Sequence, residues 1–195
     1  MKRADFSERI DELFVTRAAI KVGPKLHLFA ANDPIGNGQA IDDQAVLKLI
    51  GQLQQRHRYV FVDAPIASGV HLDRLIATSG TVVLVAEPTL ISAREIGRWQ
   101  EKVEALRPSA NIRRILNKAS EPGGLSAADF ASASGHSVSV TIPYDSNIVR
   151  GANSGVPAIG DSAILRRALA PLIRDLTGEP EHEESQSFIA RILRK

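Results

Sequence analysis

Five short stretches of this chain carry side chains suited to chemistry, and each directly follows an apolar run. They are Asn32 and Asp33, Asp63 to Pro65, Glu87 and Pro88, Asn117 and Lys118, and Pro143 to Asp145. Asp63 closes the run YVFVD. A carboxylate placed there suits a magnesium ion or its water, and it serves equally to cap a loop or a following helix. Asn117 offers an amide that both donates and accepts, which suits a base edge or the cap of a turn. Other chemistries are excluded by composition. The chain has no Cys, so disulfides, thiolate zinc sites and Cys nucleophiles are ruled out. No GxSxG nucleophile pattern occurs. His27, His57, His71, His136 and His182 show no ligand spacing. Neither GxxxxGK[ST] nor GxGxxG is present; Gly36, Asn37 and Gly38 read as a turn, and Gly123 with Gly124 as a loop.

The elements that must position these residues follow from periodicity. The chain has 195 residues, 44% hydrophobic and 24% charged, which suits one large domain or two small ones with a self-sufficient core. Apolar strand-like runs fall at 26–30 (LHLFA), 59–62 (YVFV), 81–86 (TVVLVA), 112–116 (IRRIL) and 138–142. Helical periodicity lies between them, at 42–55, 72–77, 92–106 and 161–177. Ser126 with Asp129 forms a capping box for a short helix. Asp145 or Ser146 caps another that stops at Gly155. Pro171 predicts a kink in the last helix, and Gly178 its C-terminal cap. Runs such as YVFV and TVVLVA are continuous rather than alternating, as strands buried on both faces should be. The predicted fold is α/β, a parallel sheet with helices on both faces. Ligands in such folds sit outside the carboxyl ends of the strands, where the five stretches lie.

Residues 1–178 read as the folded domain, 179–187 as an acidic linker and 188–195 as a C-terminal amphipathic segment. In that segment Phe188, Ile189, Ile192 and Leu193 share one helical face, with Arg191, Arg194 and Lys195 on the other. That is the pattern of a peripheral anchor on an anionic membrane surface. The net charge is +2, from 24 basic and 22 acidic residues, with no basic stripe interleaved with aromatics, so no nucleic acid is expected. The start, MKRADFSERIDELF, lacks the apolar core of a secretory signal. No apolar run reaches the ~18 residues of a membrane span. A cytoplasmic protein, peripheral at the inner face of a membrane, is the expectation.

Four segments in order, RYVFVDAP, TVVLVAEPTLISAREIGRW, RRILNKAS with GGLSAADF, and TIPYDSNIVRGANSGVPAI, resemble the second half of a MinD/ParA-type P-loop ATPase. Within that superfamily they are most similar to the CpaE/TadZ-type pilus assembly proteins. The segment SERIDELFVTRAAIKVGPKLHLFAA resembles that group's region before the Walker B strand. The resemblance implies a doubly wound MinD/ParA-like sheet with its N-terminal strands missing. It makes Asp63 the Walker B aspartate and magnesium ligand, and Pro65 part of the switch segment behind it. It gives Asn117 the reading of adenine, and lays Pro143 and Tyr144, with the Asp145 loop, along the adenine face. Arg94 and Glu95 fall on the helix that helps form a dimer or partner surface in relatives. MinD relatives also carry a C-terminal membrane-targeting tail like 188–195.

The departure from the family is the deviant Walker A loop, KGGxGKT, with its flanking strand and helix, none of which appears in this sequence. ATP and magnesium are therefore expected only if a phosphate loop is supplied by a separate or upstream segment. The implied function is localisation or assembly of an Flp/Tad-type pilus, with pilus or secretion machinery proteins as partners, a homodimer as the assembly, and a degenerate ATPase site. The alternative is the ATP-binding, hydrolysing half of an ATPase completed elsewhere. A partitioning factor that binds nucleic acid lacks the basic stripe it would need.

Overall fold

The computed structural model describes residues 10–30, 43–65, 70–155 and 158–178. They divide into two compact units, one running to Thr78 and the other starting at Ser79. The predictions made for Asn32 and Asp33, Gly36 to Gly38, the linker 179–187 and the tail residues Phe188, Ile189, Ile192 and Leu193 lie outside the described residues.

The N-terminal unit begins with α1 (Glu12–Ala18), which the sequence reading did not foresee. Its signal is Asp11, whose carboxylate accepts from the Phe14 N–H at 2.7 Å as the N-cap. β1 (Ile20–Lys21) and β2 (His27–Leu28) form a two-stranded antiparallel pair. The strand expected over 26–30 is thus reduced to two residues. α2 (Asp43–Gln54) and α3 (Val70–Thr78) match the predicted helices within two residues. Ile10, Val15 and Leu53 are the buried centre here, with Phe29, Leu49 and Val60 packed against them.

Residues 59–62, predicted as a strand, form none. Val60 points into the N-terminal core, but Phe61 is 79% exposed and Tyr59 and Val62 are exposed as well. β propensity favours a pleated, half-buried surface, and no described strand pairs with this run.

The C-terminal unit holds the parallel sheet, in the order β3 (Thr81–Ala86), β4 (Asn111–Ala119), β5 (Val140–Pro143). Five strands were expected in one parallel sheet; among the described residues three form it. α4 (Leu90–Leu106) connects β3 to β4 and starts two residues earlier than predicted, because Thr89 rather than a later residue accepts from the Ser92 N–H at 3.1 Å. α5 (Ala127–Ser134) shows the predicted capping box: Ser126 Oγ accepts from the Asp129 N–H and lies 2.7 Å from its carboxylate. α6 (Ser146–Asn153) is capped by Asp145.

The last predicted helix, over 161–177, forms with its start two residues later, after a separate short helix. α7 (Ala158–Asp161) ends before the buried Ser162, whose hydroxyl caps α8 (Ala163–Thr177) by accepting from the Leu165 N–H at 3.1 Å. α8 runs through Pro171 and ends at Gly178, whose φ of 68° is the left-handed cap the sequence predicted.

The two faces of this sheet are covered differently. α4 and α5 close one face with Ala93, Ile96 and Phe130 against Leu84, Ala86, Leu116 and Ala119. α8 covers the other with Leu165, Ala168, Leu169 and Leu172 against Ile115, Val140 and Ile142. Arg113 Nε fastens α8 further by donating to Asp175 Oδ2 at 2.5 Å.

Candidate functional site

The carboxyl ends of the three parallel strands stand side by side. Ala86 is in register with Leu116, and Ala119 with Pro143. Two backbone bonds tie their exits together. The Tyr144 N–H donates to the Ala119 carbonyl at 2.8 Å, and the Leu125 N–H to the Pro88 carbonyl at 2.7 Å. The second contact needs a glycine beside it, since a Cβ on Gly124 would lie 2.8 Å from Pro88 Cγ.

Asn117 is not beyond the end of its strand, as the sequence reading placed it, but inside β4 at an irregularity. Between Leu116 and Ala119, β4 carries two residues, Asn117 and Lys118, where β5 carries Ile142 alone. This is a bulge, a device that re-aims side chains at functional edges. Lys118 has φ 55° and Ser120 φ 65°. Left-handed backbone at a residue other than glycine costs about 1–3 kcal/mol, so the surrounding bonds hold this turn in place. The Glu121 N–H donates to the Lys118 carbonyl at 3.1 Å, and the Gly124 N–H to the Glu121 carbonyl at 2.9 Å.

Lys118 Nζ forms an ion pair with Glu87 Oε1 across the edge. The hydrogen bond to Glu87, and then its charge, hold the lysine above its ordinary pKa, with smaller contributions from Glu121 and Tyr144. Both side chains are well solvated, so the pair orders the edge more than it stabilises the fold. Asp145, expected along a ligand face, spends its carboxylate within the fold. Oδ1 accepts from the Asn147 N–H at 2.9 Å and Oδ2 from Ser162 Oγ at 3.3 Å.

One edge therefore gathers Glu87, Asn117, Lys118, Pro143 and Tyr144. Asn117 is half-buried, Pro143 exposed and Tyr144 43% exposed. Asp63 belongs to the N-terminal unit, where it is exposed at the end of 59–62. On α4, Arg94 is exposed, and Glu95 accepts from Arg98 at 2.6 Å. The sequence reading named Glu87 and Lys118 without pairing them; the signal was there, since each lies just past the matched stretch of neighbouring strands. It also missed Leu90 and Ile91, 47% and 76% exposed on the first turn of α4 beside this edge, because it began that helix at Ser92.

An amide, a proline ring and a tyrosine ring suit a flat heterocycle. A triphosphate needs converging backbone N–H groups and free cations, whereas the lysine here is engaged by Glu87.

No family model matches the chain, and no curated protein matches it in sequence. Solved structures do match in fold. A ParA family ATPase from Chlorobium tepidum superposes with a TM-score of 0.71 at 21% identity, over 85% of this chain and 71% of its own. The MinD of a MinC:MinD cell division complex from Aquifex aeolicus gives 0.70 at 22% identity, over 91% of this chain and 73% of that one. MinD from Pyrococcus horikoshii, solved with Mg-ADP, gives 0.59 at 16% identity, covering 70% of this chain and 57% of its own. The chain has the α/β fold of the ParA and MinD ATPases and spans little more than half the length of the last of them. Among the described residues no helix is long and apolar enough to cross a membrane.

Proposed function

We propose that this chain is a CpaE/TadZ-type localisation or assembly factor for an Flp/Tad-type pilus, built on a ParA/MinD fold and degenerate as an ATPase. The observation that carries the reading is the placement of three resembling segments. EPT lies at the exit of β3, LNKAS at the bulged end of β4, and IPYD at the exit of β5, all on one edge of one sheet. In this reading Asn117, Pro143 and Tyr144 face an adenine, and Asp63 is the magnesium ligand of a site whose phosphate loop comes from elsewhere. Phe188, Ile189, Ile192 and Leu193 anchor the protein on anionic lipid. Arg94 and Glu95 contribute to a homodimer or to the contact with pilus machinery.

The test is deletion of the gene and complementation by the full chain, with surface pili counted by electron microscopy and a fluorescent fusion followed in the cell. Loss of pili, restored by the chain together with a fixed fluorescent focus, supports the reading. Normal piliation in the deletion strain rejects it.

The alternative is an ATP-binding half completed by another segment, favoured by the edge of β3 that has no strand beside it among the described residues. Here the purified chain alone binds a fluorescent ATP analogue weakly, and Asn117→Ala abolishes what binding there is. Magnesium-dependent turnover by the chain alone at ordinary ATPase rates, lost in Asp63→Ala, would instead make it a self-sufficient enzyme.

A further inference from the structure

The histidines show no ligand spacing in the sequence, yet the N-terminal unit brings two of them into ring contact. His27 opens β2 and His57 follows α2; their ring centres lie 5.2 Å apart, with the planes tilted by 50°. Both belong to the same compact unit. The contact continues the core beneath it, where Phe29 packs against the cluster that holds Leu53. His27 precedes Phe29 by two residues, the spacing that shares one side of an extended chain. His57 follows Leu53 by four, the spacing that shares one face of a helix. Backbone bonds hold both ends. The His57 N–H donates to the Leu53 carbonyl at 2.9 Å, and across the hairpin the Val22 N–H donates to the Leu26 carbonyl at 3.0 Å.

Among the described residues neither imidazole has a hydrogen bond or an ion pair. His27 is exposed and His57 half-buried, so an ion can reach them from solvent. The cations nearby are engaged or wet. Arg56 pairs with Glu12 and donates to Thr16 Oγ1 at 2.9 Å, and Arg58 lies 5.4 Å over the Tyr59 ring. Lys21, opposite His27 in the hairpin, is exposed, and its long stem keeps the ammonium in water. We propose that His27 and His57 form a bidentate site for a zinc-class divalent cation, with water in the remaining positions. Imidazole suits zinc, copper and nickel. Two rings that each aim a nitrogen at one tetrahedral zinc, ~2.0–2.1 Å away, put their centres roughly 5 Å apart. That is the separation found here. No third histidine or carboxylate joins them among the described residues, so the ion stays open to water and is held less tightly than in a closed structural site. The site differs from the magnesium site implied at Asp63. Magnesium takes oxygen ligands, and His57 precedes 59–62 whereas Asp63 follows it. An ion held by both rings ties β2 to the end of α2.

The site does not depend on the pilus reading. To test it, the full chain is purified without a histidine tag and stripped of metal with a chelator. It is then titrated with zinc chloride, followed by calorimetry and by the imidazole proton signals in NMR. Zinc should bind and shift the His27 and His57 signals together, leaving that of His136 in place. His27→Gln and His57→Gln, which keep a polar side chain of similar size, should each weaken zinc about a hundredfold, since one imidazole loses the advantage of two linked ligands. His136→Gln should not change the affinity. Acidification should release the ion, because protons compete for the ring nitrogens. Magnesium chloride should leave both signals unmoved. No zinc binding, zinc that leaves the two histidine signals in place, or an affinity equal in both variants and the wild type overturns the proposal.

Discussion

Two runs in this chain, YVFV at 59–62 and TVVLVA at 81–86, have the same strand character and meet different fates. TVVLVA becomes β3, bonded along its length to β4 from Thr81↔Asn111 to Ala86↔Leu116. YVFV forms no strand, and three of its four side chains are exposed. The difference lies in their neighbours. β3 is followed by the 17-residue helix α4 and then by β4, a complete unit that returns the chain beside it. YVFV is followed by α3, and no described strand returns next to it. Strand propensity is thus permission to pair, and a ladder also needs a partner delivered in register.

The largest effect that sharpens this contrast is in the core each run reaches. Phe130 is 2% exposed, packed among the residues that β3 and β4 turn toward α4. Phe130→Ala should cost about 3–5 kcal/mol, the usual range for a buried phenylalanine. Phe61→Ala, at 79% exposure, should stay within ~0.5 kcal/mol of wild type. Urea unfolding read by Trp99, the one tryptophan and part of α4, measures the first directly. Hydrogen exchange of residues 59–62 reads the second. A phenylalanine at position 61 that mattered as much as Phe130 would show that YVFV is buried in solution and break the comparison.

The next effect is within β3 itself. Leu84 packs on the α4 core, while Val85 is 58% exposed on the open face. Leu84→Ala should cost ~2 kcal/mol, the low end for a leucine because the site is half-buried. Val85→Ala in the isolated chain should cost roughly 0.5 kcal/mol or less. Equal losses would mean the open face is already closed.

The same contrast shows what could be read from sequence. Elements defined by local signals were legible. The caps at Ser126 and Gly178 and the whole of β3 follow from residues next to each other. What could not be read depended on distant partners. Nothing near 59–62 says whether a strand will lie beside it. Nothing in LNKAS says that Ile142 will oppose two residues and bulge the chain at Lys118. The candidate site was legible in outline because strand exits can be found from apolar runs. Its internal bonding, with Glu87 on Lys118 and Asp145 on Ser162, was not, because each pair joins segments separated by connections of unknown geometry.

Ser162 tests one such unread bond. Its buried hydroxyl caps α8 and donates to Asp145. Ser162→Ala should cost ~1 kcal/mol for the lost cap. Ser162→Thr, which keeps the hydroxyl, should recover most of it. If both variants match wild type in urea unfolding, α8 does not depend on this cap, and its start after Ser162 has another cause.

The smallest effect concerns how firmly α8 is held to the covered half of its face. Asp175 accepts from Arg113 at 2.5 Å. That hydrogen bond, and then the guanidinium's charge, hold the carboxyl below its ordinary pKa, while the same partnership raises that of Arg113. A depressed folded pKa means the unfolded chain binds the proton first as pH falls. The pair's contribution is therefore whole above the unfolded value near ~3.9 and drains away as pH drops through the lower folded value. Both groups are solvated, so the contribution is small and salt-sensitive. Asp175→Asn should lower the urea midpoint slightly at pH 7, and the difference from wild type should shrink below pH ~4 and vanish once the carboxyl is protonated. High salt should shrink it at neutral pH as well. A difference that survives full protonation would belong to packing at position 175 and not to the charge, and α8 would then be held on the sheet by its apolar residues alone.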